Sequence, residues 1–262
     1  MYYKIYMITT EQLKELRDST GISVMQCKKA LEEAEGNMEK ALMLLKKKSG
    51  DIAAKKADRD VAEGSIVIKK EGNRAAVVML RCETDFVAKN EDFMSVANKL
   101  ADMVLADGKE STEAAAPELI NSLIQKIGEN VKLGDIEIIE GNTLGSYVHN
   151  GKSGVIVSLS GGNEELARDI ALHIAAMKPE YLKKEDIPQE KIDLARELFE
   201  KEVNESDKPE DIKAKMLQGK IDSYFKEITL LDQQFVKNPD LTIGTLASQG
   251  GATIELFSRF TI

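Results

Sequence analysis

Apolar residues recur at helical spacing over the first fifty positions, in alternating or solid runs from Gly64, and at helical spacing again towards the C-terminus. In the first stretch, Leu13 with Leu16, then Cys27, Ala30, Leu31 and Ala34, then Met38, Ala41, Leu44 and Leu45 mark three helix faces. Thr9 with Gln12 and Ser23 with Gln26 have the spacing of capping boxes, Ile8 and Leu13 that of a hydrophobic staple, and Asn37 can cap the third helix. Gly21 and Gly36 stand where helices stop, and the third helix is expected to end at Ser49-Gly50. The small and charged residues 53–60 read as a linker. The pattern thus predicts a three-helix bundle over residues 1–52 and a linker over 53–60.

From Gly64 the spacing changes. Ile66 and Ile68 alternate with Val67 and Lys69, Glu71-Gly72-Asn73 reads as a turn, and residues 76–80 read as a buried strand. A helix is expected from Asn90, with Phe93, Val96, Ala97, Leu100 and Val104 on one side. Residues 107–115 read as a polar loop, and Pro117 as the opening of a helix carrying Ile120, Leu123, Ile124 and Ile127. The unit then recurs. Gly145-Ser146-Tyr147-Val148 echoes Gly64-Ser65-Ile66-Val67, Asn150-Gly151 is a hairpin turn, residues 155–159 echo the buried strand, and positions 166, 170, 174 and 177 track 93, 97, 101 and 104. The predicted class is α+β: a duplicated core with small antiparallel sheets, divided as 61–142 and 143–262. Residues 189–228 interrupt the second half with two helical patterns, Ile192, Ala195, Phe199 and Val203, then Ile212, Met216, Ile221 and Phe225. A turn at 206–209 separates them, giving a charged antiparallel helical hairpin, a short coiled coil expected to project into solvent. A last strand over 252–262 is expected to join the second sheet.

Composition narrows the function. The chain has 262 residues and a formal net charge of −9, but residues 1–60 carry twelve Lys and Arg against ten Asp and Glu, so the remainder carries −11. An acidic body disfavours direct contact with a phosphate backbone and fits a protein partner. No run of about 18 apolar residues occurs, so no membrane span is expected. Residues 1–7 lack the build of a secretion signal, and a soluble cytoplasmic protein is expected. Cys27 and Cys82 lie far apart, and with only two histidines they offer no zinc-ligand set; free thiols without metal or cofactor are expected.

Gly151-Lys152-Ser153 invites a phosphate-loop reading. Gly145 lies one residue too far upstream for that motif, however, and no helix is expected after Ser153. His149 is expected to be exposed or partly packed, and His173, on an inner helix face, to be a satisfied core histidine. No Ser/His/Asp order, Cys/His pairing or close carboxylate pair suggests enzymatic chemistry. The segment 84–90 (TDFVAKN) has two readings. It is a connector whose Asp caps a turn and whose Phe covers the core edge, or it offers Phe86 to a partner. The second repeat has Gly161-Gly162 at this point, so the fold itself does not require an aromatic there.

The same segment resembles a signature of the bacterial elongation factor Ts family. Residues 20–31 (TGISVMQCKKAL) are similar to that family's TGAGMMDCKKAL, and residues 126–130 (KIGEN), 144–147 (LGSY) and 173–179 (HIAAMKP) also match, in family order. The resemblance implies a ubiquitin-associated-like N-terminal domain, two related core subdomains, and a helical hairpin inserted in the second. It implies a guanine-nucleotide exchange factor, without covalent catalysis or cofactor, that binds elongation factor Tu in GDP-bound and nucleotide-free forms. Phe86 would wedge between partner helices near the partner's magnesium and phosphate region, with Asp85 beside it and Thr84 and Val87 flanking. Val24, Met25 and Lys28 would dock the partner's nucleotide domain, and Ile127, Gly128 and His149 fall at further contact positions. Val24 stands where the family has methionine. Some members continue into a further helical module past the position of Ile262, a contact not expected here. A one-to-one complex, a two-to-two complex and a homodimer stay open. So do two other functions: a binding module that leaves its partner's nucleotide alone, and a nucleotide-binding enzyme built on 145–153.

Overall fold

The computed structural model describes residues 8–262, so the reading of residues 1–7 lies outside the described residues. The chain divides into two compact units. The first comprises the residues up to Lys69 with Ala76–Ile138 and Ile262, the second Lys70–Ala75 with Ile139–Thr261.

The first unit opens with α1 (Thr10–Thr20), α2 (Val24–Glu33) and α3 (Met38–Lys56). Thr9 and Gln12 form the expected reciprocal capping box, and Gly21 ends α1 in the left-handed conformation. Ser23 caps α2, but the Gln26 side chain turns to another helix, as described below. Leu16, Cys27, Leu31, Ala41 and Leu45 form the small core of these helices.

Two expectations fail here. Helix α3 does not stop at Ser49-Gly50; it runs to Lys56, through the first half of the expected linker. Ile52 and Ala53 pack against the core of the following α/β layer, and Ser49, though buried, satisfies its hydroxyl on Lys46 O at 2.7 Å. Ala57 and Arg59, in the second half, are tied down through their carbonyls by the Asn130 side chain at 3.4 and 2.8 Å.

There follow β1 (Glu63–Glu71), β2 (Arg74–Cys82), the single turn α4 (Asp85–Ala88), α5 (Glu91–Asp107), α6 (Lys109–Ile127) and β3 (Val131–Glu140). The sheet order is β1-β2-β3. Phe93, Ala97, Leu100, Ala101 and Val104 of α5 and Ile120, Leu123 and Ile124 of α6 cover its inner face. The expected loop at 107–115 is a correction: Gly108 alone breaks the chain, and α6 begins at Lys109 with Pro117 inside it. Pro117 and Glu113 are both exposed, so the carbonyl that loses its partner at the proline faces water. Strand β3 was not anticipated.

The second unit holds β4 (Thr143–His149), β5 (Ser153–Gly161) and α7 (Glu164–Met177), then α8 (Gln189–Asn204), α9 (Glu210–Ile228), β6 (Gln234–Phe235), β7 (Asn238–Thr242), α10 (Ile243–Gln249) and β8 (Ala252–Thr261). Strand β5 pairs antiparallel with β4 on one side and with β8 on the other, as expected of the last strand. Ala167, Ile170 and Ile174 of α7 pack on Val155, Val157 and Leu159 of β5. Met177, tracked with buried Val104, is instead 47% exposed. Helices α8 and α9 share a separate apolar cluster of Ile187, Ile221, Phe225 and Ile228, with Ile192 and Phe199 packed against it. Phe199 meets Tyr224 edge-on, and Glu202 pairs with Lys220 across the short connection, so the two helices run antiparallel. The folded class is α+β, with many helices and small antiparallel sheets.

Candidate functional site

The segment after β2 is an anchored projection. Thr84 caps α4, its Oγ1 accepting from Val87 N at 3.4 Å. Val87 and Ala88 turn inward and are buried, and the buried Ser65 hydroxyl donates to Ala88 O at 3.0 Å. Asn90 then caps α5 through Asp92 N and Phe93 N, seating Phe93 in the core. Between these fixed points the Phe86 side chain has no seat: it is 82% exposed. That is unusual for a phenylalanine in a well-packed fold.

A pair of carboxylates ties this turn to the α6–β3 connection. Glu129 accepts from Thr84 N at 3.1 Å and from Thr84 Oγ1 at 2.8 Å. In the reverse direction, Glu83 accepts from Asn130 N at 2.6 Å, and Arg59 meets the same Glu83 oxygen at 3.3 Å. The Asn130 amide first, and Arg59 after it, hold the Glu83 carboxyl below the usual carboxylate range. Beneath the turn, Cys82 donates its thiol to Thr84 O at 3.2 Å; burial, with the Glu129 charge next, pushes that thiol up to about 11. Cys82 is thus a neutral thiol and not a nucleophile. Asp85 points outward to Lys89 at 2.7 Å, and this hydrogen bond lowers its pKa.

The C-terminal end of α6 also receives the start of α2. Gln125 Nε2 donates to Gln26 Oε1 at 2.7 Å, and Lys126 pairs with Asp92 of the first turn of α5 at 2.6 Å. One end of one helix therefore holds both the loop of Phe86 and the first turn of α2. On that turn Met25 is 77% exposed and Val24 44%. Lys28, a turn further on, is paired loosely with Glu32 at 3.8 Å. Ile127 is half-buried, and Gly128 is exposed in the left-handed conformation with its carbonyl held by Lys56 Nζ.

His149 belongs to the second unit. It is exposed at the end of β4, with Tyr147 Oη at 3.1 Å from Nδ1 and Asn150 Nδ2 at 3.2 Å from Nε2. The tight turn Asn150-Gly151, both at positive φ, follows and leads straight into β5 at Ser153. No helix N-terminus stands behind Lys152-Ser153 to receive a phosphate. His173 is fully buried and satisfied, as expected. Val236 N donates to its Nδ1 at 3.2 Å, so Nε2 carries the proton and donates to Gln233 Oε1 at 2.9 Å. Among the described residues no group of three or more His, Cys, Asp or Glu side chains could hold a metal ion, and no helix is long and apolar enough to cross a membrane.

Residues 83–262 match the family model described as elongation factor TS. The chain belongs to the elongation factor Ts family. It is similar to the elongation factor Ts of Thioalkalivibrio sulfidiphilus (strain HL-EbGR7), with 43% identity over 269 residues, covering 97% of this chain and 92% of the relative. The elongation factors Ts of Idiomarina loihiensis and Hahella chejuensis are 39% and 41% identical, each again over 97% of this chain and over 91% and 92% of their own lengths. Membership places the chain among the elongation factors of protein biosynthesis. Within the TDFVAKN segment the sequence singles out Thr84, Asp85, Phe86 and Val87 but not Glu83, Glu129 and Asn130, which fix the turn. The KIGEN match already contained two of these, and its carboxylate was the available signal.

Proposed function

We propose that this chain is a guanine-nucleotide exchange factor for elongation factor Tu, acting without covalent catalysis or a cofactor. The observation that carries this reading is Phe86: an 82% exposed ring on a turn whose neighbours are all anchored. A rigid aromatic costs little entropy to bury and makes an effective interface anchor. Pressed between two packed helices of a partner, it would favour a different discrete arrangement of them, here one that disturbs the partner's own magnesium and phosphate site. Asp85 would contact the same segment, with Thr84 and Val87 shaping the turn. Val24, Met25 and Lys28 would dock the nucleotide domain, and Ile127, Gly128 and His149 would add contacts.

Exchange then follows from linkage. If the factor binds nucleotide-free elongation factor Tu more tightly than the GDP-bound form, it weakens GDP by the same free energy with which GDP weakens the factor. In this reading the bundle of α1–α3 is a ubiquitin-associated-like domain over about residues 1–52. The core is two related subdomains, 61–142 and 143–262, and α8–α9 are an inserted coiled-coil hairpin of a cytoplasmic protein. The test is the rate of labelled GDP release from cognate elongation factor Tu with and without this chain. Acceleration supports exchange; tight binding with an unchanged release rate would make the chain a passive binding module.

A further inference from the structure

A helical turn of four residues does not hold its own shape, because fixing one turn orders several dihedrals for a single hydrogen bond. Phe86 itself contributes little packing, being 82% exposed. The orientation of its ring must therefore be set from outside α4. On the C-terminal side Ser65 and the buried Val87 and Ala88 serve. On the N-terminal side the task falls to Glu129, whose two oxygens take both polar hydrogens of Thr84, at 3.1 and 2.8 Å. A two-point, charge-assisted contact fixes direction as well as distance. Glu83 on Asn130 N closes the pair in the opposite sense, so the two loops cannot slide past one another without breaking bonds to both carboxylates.

We propose that Glu129 is a positioning residue for Phe86. Its carboxylate pre-sets the cap of α4 so that the ring is presented in one direction before any partner arrives. This inference rests on the reading of Phe86 as the partner anchor. Without the clamp, the Thr84 N–H and hydroxyl lose their acceptor, the first residues of α4 fray, and ordering them is left to the moment of binding.

The chain contains no tryptophan, so Phe86→Trp installs a single indole at the site, excitable apart from the six tyrosines. In the full chain, Glu129→Ala is expected to lower the steady-state anisotropy of the residue-86 indole, while the rest of the protein unfolds at an unchanged temperature. Glu129→Gln, which keeps one acceptor oxygen, should fall between. With cognate elongation factor Tu, Glu129→Ala should slow stimulated GDP release about tenfold, the scale of one lost charge-assisted anchor. In a Phe86→Ala background the same substitution should have no further effect, because its action passes through the ring. A merely structural residue would instead add its loss to that of Phe86→Ala. Unchanged anisotropy, or additive losses, would overturn the proposal. Should Glu129→Ala not fold, Glu129→Gln carries the same two comparisons. If the unmodified chain leaves GDP release unaltered, the exchange reading falls, and the anisotropy arm alone still decides the clamp.

Discussion

Gln26 and Gln125, 99 residues apart, meet at 2.7 Å through Oε1 and Nε2 where α2 crosses the end of α6. Gln125 is buried, and its own Oε1 has no partner among the described residues. Removing Gln26 therefore strips a buried amide of its acceptor. Gln26→Ala is expected to lower stability by about 1–3 kcal/mol. Because α3 also continues onto the core through Ile52 and Ala53, deleting residues 1–52 should lower the unfolding midpoint of the remainder as well as weaken partner binding. Urea denaturation of both variants checks this. A truncated chain as stable as the full one would show that the bundle is merely tethered.

Phe86→Ala separates anchor from core. The ring touches little in the free protein, so stability should stay within about 0.5 kcal/mol of the parent. Stimulated GDP release should lose about 2 kcal/mol or more if the ring is an interface anchor. A core phenylalanine would show the reverse, about 3–5 kcal/mol of folding stability. The unfolding midpoint and the release rate, measured on the same preparation, decide between them.

Local chemistry was legible and pairing at a distance was not. Thr9, Ser23, Asn37 and Asn90 all cap the helices that their positions announced, because a cap is an interaction within four residues. Strand β3 carries Gly134 in its interior, where a Cβ would lie 3.1 Å from Met79 Cγ, so the glycine serves close packing that only the paired fold displays. Pro117 misled because its cost depends on exposure, which a sequence does not display. At the site, the exposed Phe86 was suggested by a comparison of two repeats. Glu129 was not, since its partner Thr84 lies 45 residues away.

His173 should give the second unit an acid-sensitive stability. Burial lowers its pKa from the ordinary value of 6.5, with the Gln233 hydrogen bond opposing. The unfolded chain then binds this proton more readily than the folded one, so stability is full above about pH 6.5 and falls as pH drops below it, by up to about 1.4 kcal/mol per pH unit until the folded pKa is reached. A protonated Nδ1 would also confront the Val236 N–H that it now accepts. Denaturation midpoints at pH 7.5 and 5.5 should differ, and His173→Asn should lessen the difference. An equal pH dependence in both proteins would assign the effect to other groups.

Gly145 distinguishes close packing from nucleotide binding at the upstream glycine of the 145–153 segment. A methyl group there would lie 2.2 Å from both the carbonyl carbon and oxygen of Ala167, in the backbone of α7. No rotamer change can relieve a clash with main chain. Strand β4 would have to part from the helix whose Ala167, Ile170 and Ile174 fill the core of the second unit. Gly145→Ala should therefore cost about 3 kcal/mol, the upper end of overpacking penalties. Gly219, within α9, is the matched control: nothing lies within 4 Å of its Cβ position. There the same change should stabilise by about 0.5–1 kcal/mol, because alanine restricts the unfolded chain and favours helix. Thermal unfolding of the two single variants reads both signs. A Gly145→Ala protein of undiminished stability that had lost binding of labelled GDP in the absence of any partner would return the 145–153 segment to a nucleotide-site reading.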